Sequence, residues 1–241
     1  MQAIILAGGK GTRMKRNIPK CAVSLKNMPM IWYLFETLKK IKIENIFVVV
    51  GYQKDVMIKV IKDECSVDFV YIEQNEQLGT GHAVSCCKEQ MCHLTGDTLI
   101  LLGDMPLIPE KILNDFISYH QTNKNDLTIL TTTMNNPIGY GRILKDRNKI
   151  VRIVEETETN YVEKQIKEVN TGIYCIDNAV LFDNIDKIKN DNLKKEYYLT
   201  DLIEIMADKY HIEDYLVEED YHLQGINDLK TLEIMEKKME E

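Results

Sequence analysis

The segment Leu6-Ala7-Gly8-Gly9-Lys10-Gly11-Thr12-Arg13-Met14 carries the densest chemical signal in the chain. Glycines at three of four positions let the backbone approach a ligand and turn N–H groups toward it, and Lys10 and Arg13 add positive charge. An anionic ligand is expected there, with a plain structural turn as the alternative. Neither standard phosphate pattern fits: G-x-x-x-x-G-K-[ST] is absent, and Met14 stands where the dinucleotide fingerprint has its third glycine. Lys20, behind Pro19, suits a charge held on a triphosphate, against the plainer reading of a solvated lysine. Residues 1–35 hold six basic and no acidic side chains, leaving 24 basic against 38 acidic in the rest. A basic pocket on an acidic body suits a small anion.

One further residue has the chemistry of a cation site. Asp104 ends the apolar run TLILLGD, so its carboxylate is expected at the carboxyl edge of a buried strand, where open α/β sheets bind ligands. Mg2+ takes one or two protein oxygens and completes its shell from substrate phosphates. A cap before Pro106 is the other reading of Asp104. Asn227, just ahead of an amphipathic run, reads from its surroundings as a helix cap. Cys86, Cys87, Cys92 and His93 lack any C-x2-C pair and lie in a helical pattern, which favours buried thiols over zinc.

The elements that must position these residues alternate. Short continuous apolar runs at Ala3–Ala7, Ile46–Val50, Asp68–Ile72 and Thr98–Leu102 read as strands buried on both faces. Between them lie helical patterns: one opened by Pro29 and continuing through IWYLFETLKKI, then QKDVMIKVIKD, GTGHAVSCCKEQM and PEKILNDFISYHQ. The alternation implies a Rossmann-like, doubly wound α/β sheet with right-handed crossovers. From Leu127 onward the pattern loosens into a strand at 127–133, antiparallel strands in GYGRI and KIVRIVEE, a strand in EVNTGIYCI, and helices in LTDLIEIMADK and NDLKTLEIMEKKM. No linker or internal repeat divides the 241 residues, so one domain with a mixed, mostly parallel sheet is expected.

Composition bounds the partners. With 44% hydrophobic and 28% charged residues the chain is an ordinary globular one, and its net charge of −8 argues against broad nucleic-acid binding. No apolar run reaches the roughly 18 residues of a membrane span, and the N-terminus lacks a basic region ahead of its apolar stretch. A cytoplasmic protein with reduced thiols is expected.

Taken in order, the glycine loop, Pro19-Lys20, Gln74, QLGTGHA at 77–83, Gly103-Asp104, GYGRI at 139–143, Glu155-Glu156, NTGIY at 170–174, EYYLTD at 196–201 and GIND at 225–228 resemble the uridyltransferase domain of bacterial N-acetylglucosamine-1-phosphate uridyltransferases, within the sugar nucleotidyltransferase superfamily. The similarity spans nearly the whole chain, and QLGTGHA and NTGIY are its most specific parts. It implies Mg2+-dependent joining of UTP and N-acetylglucosamine 1-phosphate to give UDP-N-acetylglucosamine, a cell-envelope precursor, and pyrophosphate. It further implies that Arg13 and Lys20 act on the triphosphate. Leu6, Ala7, Gly8, Gly9, Gln74, Gly79 and Thr80 would join Lys20 in holding the nucleotide. Gly141, Glu155, Asn170, Tyr198 and Thr200 would hold the sugar, and Asp104 and Asn227 the metal. Gln74 is apt, since an amide both donates and accepts along a pyrimidine edge.

The resemblance divides the domain into a nucleotide-binding half at 1–125, a sugar-binding elaboration at 126–226 and a C-terminal helix at 227–241. Leu102 departs from the tyrosine often found before Gly103-Asp104, and Cys21-Ala22-Val23-Ser24 from a Val-Leu-His-Pro type of stretch. No hexapeptide repeat follows. The family's C-terminal β-helix, its acetyl transfer and its trimerisation are therefore expected to be missing, leaving a monomer or dimer. The alternatives are the same chemistry on another sugar 1-phosphate or nucleotide, and a catalytically silent nucleotide-sugar sensor.

Overall fold

In the computed structural model, which describes residues 1–43 and 45–240, the four apolar runs form the centre of one sheet. In chain order the elements are β1 (Gln2–Leu6), β2 (Ser24–Leu25), β3 (Met28–Pro29), α1 (Met30–Lys40), β4 (Asn45–Val50), α2 (Lys54–Glu64), β5 (Val70–Glu73), α3 (Thr80–Ser85), α4 (Lys88–Met91), β6 (Asp97–Leu102) and α5 (Glu110–Asn123). The second half adds β7 (Leu127–Thr133), β8 (Arg142–Asp146), β9 (Lys149–Val154), β10 (Glu168–Asp177), α6 (Asn178–Asn184), α7 (Asp201–Met206), β11 (Ile212–Val217) and α8 (Leu229–Lys238). Glu241, the last residue of the expected C-terminal segment, lies outside the described residues.

The main strand order is β11-β7-β10-β6-β1-β4-β5, with the β8–β9 hairpin attached to β10. β10 alone among these seven runs antiparallel to its neighbours β6 and β7, which makes the sheet mixed but mostly parallel. The continuous apolar runs have a simple cause. Ile5, Val48, Leu99 and Leu101 point to one face, against Leu34, Phe35, Leu38 and Phe116 of α1 and α5. Ile4, Phe47, Val49 and Ile100 point to the other, against Val84, Leu181, Leu202 and Ile203. A strand covered on both sides has no polar alternation to show.

Two helical expectations are corrected. GTGHAVSCCKEQM forms two short helices, α3 and α4, broken at Cys86-Cys87. Its apolar residues Ala83, Val84, Cys87 and Met91 still fall on one buried face, so the pattern alone does not show the break. LTDLIEIMADK is helical only over Asp201–Met206. In GYGRI the strand begins at Arg142, which leaves Gly139-Tyr140-Gly141 free to shape a cavity.

Topology places the site. From β1 the chain moves outward to β4 and β5, then returns to lay β6 on the opposite side of β1. That reversal is the switch point beyond which doubly wound sheets bind ligands. Leu6 pairs with Leu102 there, and the Gly103 amide donates to Leu6 O over 3.0 Å, so the glycine loop and Asp104 leave the sheet side by side.

Candidate active site

A cleft of about 470 Å3 opens beyond the ends of β1 and β6, adjoined by a recess of about 200 Å3. Leu6, Thr80, Leu102, Asp104, Glu155 and Asn227 line both, so the two are one continuous space. Gly8, Gly9, Arg13, Lys20, Gln74, Gly79 and Tyr198 line the larger part. Gly141, Asn170 and Thr200 line the recess. Arg13 of the glycine loop reaches Asn227, 214 positions away in sequence, through a 3.0 Å hydrogen bond.

Ala7 is the exception among the expected contacts. It is buried, and its amide is spent on Val49 O at 2.9 Å, which extends the β1–β4 pairing beneath the cleft. Lys10 also stands apart, exposed, with its ammonium 5.5 Å from the Tyr52 ring. The loop cations that reach the cleft are Arg13 and Lys20.

Local structure aims both. Gly11 adopts φ +61, and a Cβ there would stand 2.7 Å from Lys20 Cβ, so glycine lets the loop lie against the lysine stem. Met14, in place of a third glycine, is buried with Val23, Leu25, Met30, Ile226, Leu232 and Met235. This cluster ties the glycine loop to the segment before α8 and keeps Arg13 beside Asn227. Its Nη2 donates to Asn227 Oδ1 over 3.0 Å, and Lys20 Nζ donates to the same oxygen over 2.7 Å and to Asp104 Oδ2.

Asn227 does not cap α8. Asp228 does, its carboxylate accepting from the Thr231 amide over 2.8 Å. The asparagine is thereby left for the cleft. Asp104 is not a cap either: its Oδ1 is buried with no hydrogen-bond partner among the described residues. An orphaned carboxylate oxygen next to a second side-chain oxygen, with an ammonium between them, is an environment suited to a hard cation.

The recess owes its shape to a bulge in β10. Its register against β7 shifts between Asn170 and Ile173, and the skipped Thr171 donates its hydroxyl to Leu130 O over 2.6 Å. Asn170 accepts from the Gly172 amide over 2.9 Å and donates to the Tyr174 hydroxyl over 2.7 Å. One lone pair and one N–H of its amide remain for a ligand. Glu155 accepts from Thr200 Oγ1 over 3.0 Å, and burial holds its carboxyl above the ordinary range although that bond pulls the other way. The Tyr198 hydroxyl is buried without a partner among the described residues.

Sequence reasoning missed several lining residues. Gln77 lines the cleft and donates to Gln74 O over 3.1 Å; it was in view within QLGTGHA without a role. Tyr140 lines the recess, and burial together with the Asp104 charge raises its hydroxyl pKa. It is carried there by Arg142, buried in the hairpin base, which donates to Tyr140 O and pairs with Glu156 at 2.7 Å. Lys194 and Glu196 also line the cleft; Glu196 was in view within EYYLTD without a role, and Lys194 precedes that motif in an ordinary polar loop.

A model of the nucleotidyl transferase family matches residues 2–223. Among curated proteins, the bifunctional protein GlmU of Acholeplasma laidlawii (strain PG-8A) is 42% identical over 240 residues, covering 99% of this chain and 51% of its own length. That of Geotalea daltonii is 42% identical over 228 residues, covering 94% and 50%. The chain thus spans about half the length of the curated relatives it matches. Among solved structures, a Bacillus anthracis protein assigned as a glucose-1-phosphate thymidylyltransferase, in complex with sucrose, superposes with TM-score 0.79 at 22% identity, covering 98% of this chain and 94% of that one. HddC from Yersinia pseudotuberculosis, complexed with GMP-PN, gives 0.73 at 21%, covering 99% of each. At these identities the two structures bear on the fold alone.

Proposed function

The chain belongs to the nucleotidyl transferase family, and from that premise we propose that it transfers the uridylyl group of UTP to N-acetylglucosamine 1-phosphate, giving UDP-N-acetylglucosamine and pyrophosphate. The observation that carries this reading is the meeting of Arg13, Lys20, Asp104 and Asn227 where the larger cleft joins the recess. Two cations and two oxygen ligands at one point suit the junction of a triphosphate with a phosphomonoester.

In this reading residues 1–125 hold the nucleotide and 126–226 the sugar. The glycine-loop backbone, Gln74, Gly79 and Thr80 bind uridine, and Arg13 and Lys20 hold the triphosphate with its leaving group toward the loop. Glu155, Asn170, Thr200, Tyr198 and the Gly141 backbone orient the sugar so that its phosphate oxygen faces the α-phosphorus for in-line displacement. Such a reaction needs no covalent enzyme intermediate; it depends on alignment and on neutralising charge at the phosphate oxygens. Asp104 and Asn227 would hold Mg2+, for which the orphaned Asp104 Oδ1 is the supporting feature. Bound there, the ion would supply Lewis-acid stabilisation of the phosphate oxygens. The substrates favour a cytoplasmic setting, and among the described residues no helix is long and apolar enough to cross a membrane.

The test is pyrophosphate release over a grid of nucleoside triphosphates and sugar 1-phosphates. Fastest release with UTP and N-acetylglucosamine 1-phosphate supports the reading, and release with a different pair reassigns the substrates. No release with any pair overturns it in favour of a silent sensor.

A further inference from the structure

We propose that His82 is a positioning residue for base selection: it fixes the Gln74 carboxamide so that a carbonyl oxygen, and no N–H, faces the nucleotide part of the cleft. The proposal rests on the UTP reading above and deepens it. His82 itself lines neither part of the cleft.

Gln74 follows β5 and is 5% exposed. Its Nε2 lies 3.0 Å from Gly79 O. A backbone carbonyl only accepts, so this contact decides which end of the carboxamide is nitrogen. The second Nε2 hydrogen points to His82 Nδ1 at 3.1 Å. Accepting at Nδ1 puts the proton of the neutral imidazole on Nε2, which lies 4.0 Å from Cys86 Sγ, a weak acceptor. Both hydrogens of the Gln74 amide are then committed to protein. Its Oε1 receives no hydrogen bond from any described residue and lies across the glycine loop, 3.1 Å from where a Cβ on Gly8 would stand.

The clamp is held from outside the cleft. His82 sits in the first turn of α3, half-buried, with its ring 6.2 Å from that of Tyr197. Tyr197 is itself fixed, its amide donating to Leu78 O over 2.7 Å and its carbonyl accepting from the Gly81 amide over 2.8 Å. Swinging the Gln74 amide by half a turn would set Oε1 against two acceptors, Gly79 O and His82 Nδ1. A fixed acceptor toward the base selects a ring N–H. Uracil carries one at N3, whereas cytosine has a lone pair there, and a desolvated acceptor facing a lone pair is rejected more strongly than a missing methylene. The freedom of an amide to donate or accept is thus reduced to acceptance.

The test compares kcat/KM for UTP and CTP, with N-acetylglucosamine 1-phosphate as acceptor, in the wild type, His82→Leu and His82→Asn. Asparagine can return a carbonyl oxygen near the Nδ1 position; leucine cannot. The wild type is expected to prefer UTP by about 10,000-fold, the scale at which sites that hydrogen-bond a polar group reject an analogue lacking it. His82→Leu should lose about 10-fold with UTP, mainly through KM, and narrow the UTP preference, while His82→Asn restores both. An unchanged UTP to CTP ratio in a folded His82→Leu overturns the proposal, as does equal loss on both nucleotides, the mark of a structural role. If His82→Leu does not fold, imidazole nitrogen NMR of the wild type decides: the Nε2–H tautomer at His82 supports the clamp and the Nδ1–H tautomer overturns it. A wild type without preference for UTP removes the uridylyl reading and the proposal together.

Discussion

Lys20 Nζ stands between Asp104 and Asn227, donating to the Asp104 carboxylate and, over 2.7 Å, to Asn227 Oδ1. The lysine therefore occupies the pair of oxygens proposed to hold a divalent cation, and loading the site must draw it toward the triphosphate. Lys20→Ala is expected to lower kcat/KM by roughly 10- to 1000-fold, the scale of one well-placed electrostatic contact on a developing charge. The same variant should bind Mn2+, as a probe of the site, more tightly in calorimetry, because the competing ammonium is gone. A change confined to the KM of the sugar phosphate would place Lys20 at the other substrate.

Gly79 joins the loop after β5 to α3 at φ +110, and a Cβ there would meet Tyr197 O at 2.5 Å. Gly79→Ala must either strain the backbone or push away the Tyr197 segment that its neighbours Leu78 and Gly81 bind. A loss of about 1–3 kcal/mol in denaturant unfolding is expected, the cost of a residue forced into a disfavoured conformation. Unchanged stability would show that the two segments are not rigidly joined.

Asp201 opens α7 near Glu155 and Glu158, and its carboxyl is pushed up to about 6, first by burial and then by the neighbouring acids. Ionising it costs more in the folded protein than in the unfolded chain. The penalty is absent below about pH 4, where both states are protonated, grows as pH rises toward 6, and is constant above. Asp201→Asn should therefore stabilise the protein by about 1 kcal/mol at pH 7.5, after discounting for solvent screening of a half-exposed group. Thermal melts should show the gain fading toward pH 4. A gain equal at both pH values would assign the effect to something other than charge.

Asn170 holds the β10 bulge through Gly172 and Tyr174 and also lines the recess. Asn170→Ala is expected to lower stability and, separately, to narrow the preference for N-acetylglucosamine 1-phosphate over glucose 1-phosphate, since only the acetylated sugar loses a partner. Steady-state rates on both sugars read the second effect. Equal losses would leave Asn170 a purely structural role.

The buried centre of the fold was legible because strands covered on both faces, such as Ile46–Val50, have to be continuously apolar. β11 was not. Its sequence IEDYLV mixes acids with apolar residues, as suits an edge strand with a single neighbour, β7. The β2–β3 hairpin, two residues per strand, is too short to show a period. Of the site, the residues leaving β1 and β6 were legible from glycine and charge at strand ends. Asn227 was not separable from the true cap, Asp228, because both types cap helices and they are adjacent. Tyr140 was hidden for a different reason: the buried Arg142–Glu156 pair that supports its loop is a tertiary contact 14 residues apart.

Phosphorus NMR of wild-type protein with UTP, N-acetylglucosamine 1-phosphate and Mg2+ tests the central claim most directly. The account predicts that the sugar phosphomonoester signal is replaced by the paired signals of a sugar-linked pyrophosphate diester, with inorganic pyrophosphate formed in equal amount, and that Asp104→Ala abolishes the conversion while keeping its fold. Inorganic pyrophosphate without the diester, or an unchanged spectrum, would contradict it.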